Sequence, residues 1–231
     1  MAVKTINEPK ITVNKLGEFL VASPKRQRAI LEQLKYPKDN VFSSSPYNDV
    51  RNVIKQYFIS NFDESIVENA IEDYEKKISG KTKLEWADTI VASSIDALEK
   101  VLDFSFDCAD LTFSEYKGKN PKVIIKDVEV SINPDLIVSS SLRNKDCVGA
   151  LKIHISKGSK SDVESCKYVA TLMNDFTIAH LCNPPITNRY ENSISYDVFK
   201  DIFVESPKSF KKRMADIEAG CMNIKAIWDS I

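Results

Sequence analysis

Apolar positions in the first hundred residues recur at helical spacing. Leu16, Phe19 and Leu20 fall on one side of a helix, and Val50, Val53, Ile54, Tyr57 and Phe58 form an i, i+3, i+4, i+7, i+8 stripe. Ser23-Pro24 supplies an N-cap and a first-turn proline for a helix reaching about Lys35, and Tyr36-Pro37 closes it. A polar loop with Ser43-Ser44-Ser45-Pro46 follows. Asp63 is placed to cap the next helix, with Ile66, Ala70 and Tyr74 on one side and Ser79-Gly80 as its break. Residues 84–102 read as a long amphipathic helix carrying Trp86, Ile90, Ile95, Leu98 and Val101.

The period changes after Asp103. Residues 123–131, 135–139 and 148–156 read as strands, with a kink at Asn133-Pro134 and a turn over 141–145. A helix over 161–176 buries Cys166, Val169, Ala170, Met173 and Phe176. Residues 194–204 suggest a further strand with a bend. A last helix from Ser206-Pro207 carries Phe210, Met214, Ile217, Cys221, Ile224 and Trp228. Helices, a small mixed sheet and helices again make an α/β layer architecture. The change of character divides the chain into an N-terminal helical region, 1–80, and an α/β core, 81–231.

Composition narrows the class. The 231 residues are 43% apolar and 28% charged, enough for a buried core without staples. A net charge of −1 gives no global footprint of a nucleic-acid binder, so any such surface has to be local. The five cysteines include no CxxC pair, which argues against a zinc knuckle and for a reduced, cytoplasmic setting. No apolar run approaches the roughly 20 residues of a membrane span, and the first residues are not those of a signal peptide. Gly80-Lys81-Thr82 mimics the end of a phosphate loop, but Glu75 stands where its first glycine belongs.

Candidate chemistry concentrates between Ile132 and Phe176. Leu151, Ile153 and Ile155 alternate with Ala150, Lys152 and His154, so Lys152 and His154 share the face of Ala150. If the short 141–145 connection pairs the two strands, Asp135 and Lys152 converge at one edge. The segments Pro134-Asp135 and Ala150-Leu151-Lys152 resemble the PD-(D/E)xK nuclease superfamily over about residues 122–176. The resemblance implies a PD-(D/E)xK-like core, with a small mixed sheet flanked by helices and the 84–102 helix preceding it. It also implies a metal-dependent nuclease that cleaves DNA phosphodiester bonds, in restriction or antiphage defence. Asp135 would hold Mg²⁺ (or Mn²⁺), and Lys152 would activate the attacking water. Tyr168 sits where relatives often keep a glutamine or tyrosine, and it joins His154 in supporting the site.

The departure is Ala150, which stands where the pattern places the second acid. Some restriction enzymes of that superfamily carry this acid on the next helix. The resemblance thereby points to Glu164 as a catalytic metal ligand, ahead of Glu99 and Glu85. The alternative is a catalytically inactive PD-(D/E)xK-like nucleic-acid-binding or protein-assembly module, acting as a homodimer or with another protein.

Two basic clusters open helices. Lys25, Arg26 and Arg28 are followed by Lys35 and Lys38, and Lys208, Lys211, Lys212 and Arg213 open the last helix. Either suits the phosphates of nucleic acid, DNA above all. Phe42, Tyr36 and Tyr47 offer stacking partners.

Overall fold

A computed structural model describes residues 5–37, 46–80, 85–119 and 121–231. Lys38, Phe42, the serines of the polar loop and the Lys81–Leu84 stretch lie outside them. The chain opens with β1 (Lys10–Thr12), α1 (Val13–Val21), α2 (Pro24–Lys35), α3 (Asn48–Ile59), α4 (Glu64–Ile78) and α5 (Trp86–Asp103). It continues through β2 (Thr112–Glu115), β3 (Lys122–Ile125), β4 (Val128–Ser131), β5 (Leu136–Leu142), β6 (Lys145–His154) and α6 (Val163–His180). The last elements are β7 (Thr187–Asn188), β8 (Ile194–Asp197), β9 (Ile202–Glu205) and α7 (Phe210–Ser230). Mixed helix and sheet is therefore the class, as the change of period suggested. Among the described residues no helix is long and apolar enough to cross a membrane.

The larger sheet runs β2-β5-β6-β8-β9, with β7 pairing beside β6. β2, β5 and β6 are successively antiparallel, and α6 returns the chain so that β8 lies parallel to β6. Such a parallel step requires a crossover, and α6 supplies it. β5 and β6 are joined through Arg143 and Asn144, both at positive φ (51° and 61°), as a two-residue hairpin demands. The smaller sheet has the order β1-β4-β3. Residues 123–131, expected as one strand, form its hairpin, because Lys126 and Asp127 both turn to positive φ (48° and 62°).

The large sheet is buried on both faces. On one face Leu136, Val138, Leu151 and Ile153 pack against Ile54 and Phe58 of α3 and Leu98 of α5. On the other, Ala150 joins Leu16 and Phe19 of α1, Met173 of α6 and Trp228 of α7. The segment before Gly80 thus gives β1, α1 and α2 to one core and α3 and α4 to the other. Capping follows local sequence: Ser23 is the N-cap of α2 ahead of Pro24, and the Asp63 carboxylate accepts the Ser65 amide at the start of α4.

Candidate functional site

Asp135 lies just before β5, opposite the far end of β6. Its amide donates to the Leu151 carbonyl at 2.9 Å, extending the β5–β6 ladder by one bond. That register carries the Asp135 carboxylate to the Lys152 ammonium at 3.0 Å. Oδ2 of the same carboxylate accepts the Ile153 amide at 2.8 Å. Lys152 also donates to the Asn133 carbonyl at 2.6 Å, tying down the kink, where Asn133 has φ 42°. Burial pushes the Lys152 pKa down, and the adjoining Asp135 carboxylate only partly opposes this.

A third charge completes the cluster. Arg51, near the start of α3, brings its Nε to 3.6 Å from Asp135 Oδ1. One carboxylate therefore faces two fixed cations. Nothing local in the sequence marks Arg51, because the contact joins residues far apart along the chain.

His154, two residues beyond Lys152, faces Asp197 at the end of β8, with Nε2 3.8 Å from Oδ2. Burial lowers the His154 pKa and Asp197 works against that, so the ring is neutral near pH 7. Asp197 is fully buried. It accepts from the Ser161 hydroxyl and, at 3.2 Å, from the Lys200 amide. Cys166 is close by, but burial raises its thiol to about 11, which rules against a thiolate nucleophile there.

Glu164 is elsewhere engaged. It projects from the first turn of α6, half exposed, and accepts from Lys167 and from Arg213, each at 2.7 Å. Those hydrogen bonds hold its carboxyl below the usual range. Its ion-pair partners and those of Asp135 are different residues. Tyr168 supports Arg213, whose guanidinium lies 5.0 Å from its ring centroid.

The residues do not fit a divalent ion. A hard cation needs several free oxygens. Asp135 already binds one amide and one ammonium and faces a guanidinium. Ala150 is sealed in the apolar core, and Glu164 is held by Lys167 and Arg213. Among the described residues no three His, Cys, Asp or Glu side chains gather as a metal cluster.

The basic clusters divide by role. Arg26 donates to Glu18 of α1 at 2.6 Å, and Lys15 meets the same carboxylate at 2.6 Å. Burial alone would raise the Glu18 pKa, but these hydrogen bonds outweigh it and hold the carboxyl low. Glu18 has one local sign, as an acid inside an otherwise apolar stretch, Leu16 to Leu20. Arg28 pairs with Glu32 one turn on, at 2.9 Å. Lys35 donates to the carbonyls of Trp228 and Ile231 at 2.7 and 2.8 Å, joining the ends of α2 and α7. Lys25, Lys208, Lys211 and Lys212 are exposed.

One arginine of each cluster is bound to a carboxylate beside the α1–α6 crossing. At Gly17 the backbones approach so closely that a Cβ would stand 2.7 Å from the Ser165 carbonyl oxygen. Glu18, next to Gly17, binds Arg26; Glu164, next to Ser165, binds Arg213. Comparison with protein-family models and with curated proteins finds no match for the chain.

Proposed function

We propose that this is a catalytically inactive, PD-(D/E)xK-like nucleic-acid-binding protein that acts in the cytoplasm on DNA. The observation that carries the reading is that each basic helix start holds an arginine bound to a carboxylate, and that both carboxylates flank the α1–α6 crossing. Arg26 and Arg213 are oriented by Glu18 and Glu164, while Lys25 before Arg26 and Lys208, Lys211 and Lys212 before Arg213 in the chain are exposed. Arginines so held, flanked by free lysines, suit a run of backbone phosphates. The sheet order supports the superfamily resemblance: three antiparallel strands, a crossover helix, then a parallel strand. The occupied Asp135 carboxylate supports inactivity.

Fluorescence anisotropy with duplex and single-stranded DNA tests the reading. Binding is expected to weaken steeply with salt, to ignore EDTA, and to survive Asp135→Ala. Neutralising Lys208, Lys211 and Lys212 together is expected to reduce the salt slope by roughly one unit per lost phosphate contact. Binding that ignores those lysines, or no binding, overturns it. Cleavage that requires Mn²⁺ and Asp135 would instead support a nuclease, for which the Asp135–Lys152 contact is the favouring observation.

A further inference from the structure

The Asp135 carboxylate is neutralised from within the fold, and the neutralising groups come from two directions. Lys152 reaches it from the adjoining strand, 3.0 Å away. Arg51 reaches it from α3, whose Val50, Ile54, Tyr57 and Phe58 anchor that helix in the core. The Arg51 Nε is shielded from solvent and has no hydrogen-bond acceptor within bonding distance. It therefore acts on Asp135 as a fixed charge more than as a hydrogen-bond donor. Together the two side chains bring two positive charges to one carboxylate, the charge a divalent ion would bring.

We infer that Arg51 holds the place of a divalent cation at Asp135, so that the fold itself closes this site to Mg²⁺ and Mn²⁺. An incoming ion would meet two cations within a few ångströms in a poorly solvated setting, where like charges repel strongly. Arg51 rises from a helix packed into the core, and Lys152 is held by the Asn133 carbonyl. The inference does not depend on nucleic-acid binding, and its test reads metal directly.

Side-chain geometry supplies the experiment. Arginine Nε and glutamate Oε are both the fourth side-chain atom from the backbone. Arg51→Glu therefore sets a carboxylate oxygen near the Nε position, 3.6 Å from Asp135 Oδ1. Two oxygens bound to one cation at about 2.1 Å each stand about 3–4 Å apart. Mn²⁺ titration followed by electron paramagnetic resonance should show no saturable site in the wild-type protein. Arg51→Glu should bind one equivalent at least ~10-fold more tightly, and Asp135→Asn in that background should abolish it. Arg51→Gln keeps size without charge and should bind Mn²⁺ more weakly than Arg51→Glu but more tightly than wild type. It also serves as the test if Arg51→Glu does not fold. An Asp135-dependent Mn²⁺ site in the wild-type protein overturns the inference, as do folded Arg51 variants that bind no more Mn²⁺ than wild type.

Discussion

Lys152 is a buried base whose pKa is pushed down by burial and back up, in part, by the Asp135 carboxylate. Its ammonium lies between the Asp135 carboxylate and the Asn133 carbonyl, with only 11% of the side chain exposed. Removing the carboxylate alone would strand that charge. Asp135→Ala should therefore cost about 3–5 kcal/mol, the usual penalty for breaking a buried pair from one side. Replacing both partners should cost less, since Lys152→Met fills similar volume without charge. In urea denaturation the double variant Asp135→Ala/Lys152→Met is expected to be more stable than Asp135→Ala. Equal or lower stability would mean that Asp135 does not compensate the lysine. This pair is legible from alternation together with the short connection, because period two places Lys152 on a defined face and the hairpin fixes its register. Arg51 and Asp197 carry no such local sign, since each matters through contacts made across the fold.

Among elements, the helices with strong local signals lie where the sequence places them. The caps at Ser23-Pro24 and Asp63 and the stripe through Val50 and Phe58 all lie in the helices they suggested. Short elements carry weak signals, and residues 194–204, expected as one bent strand, belong to the antiparallel pair β8 and β9. β2 has four residues and no alternation that stands out, and β1 is only three. The hairpin at Lys126-Asp127 has no glycine to mark its turn in the sequence. The α1–α6 crossing was equally invisible, although Gly17 makes it possible. Its missing Cβ would sit 2.7 Å from the Ser165 carbonyl and 2.9 Å from Val169 Cγ2. Backbone cannot yield as a flexible side chain can, so Gly17→Ala must push α1 away from α6. A loss of about 1–3 kcal/mol is expected from such overpacking, despite the better helix propensity of alanine. An unchanged melting temperature would show that the two helices do not approach so closely.

At the scale of the whole molecule, the large sheet separates two cores that no contiguous half of the chain could build alone. Residues before Gly80 supply Leu16, Phe19 and Leu31 to one face and Val50, Ile54 and Phe58 to the other. Residues after it supply the sheet itself, with α5 for one face and α6 and α7 for the other. Two-state unfolding is the expected consequence, since losing the N-terminal helices would expose both faces at once. Trp228 offers a local probe: it is 1% exposed, and its indole donates to the Asn7 carbonyl at 2.9 Å, joining the two ends of the chain. Trp86 is 58% exposed and would blur the signal, so Trp86→Phe isolates the buried indole. In that variant, urea transitions followed by Trp228 fluorescence and by far-ultraviolet circular dichroism should coincide. Separate midpoints, with helix lost before Trp228 is exposed, would instead make the region before Gly80 a domain that unfolds by itself. The contacts of Trp228 with α2 weigh against that outcome, because Lys35 at the end of α2 is bonded to the Trp228 carbonyl itself.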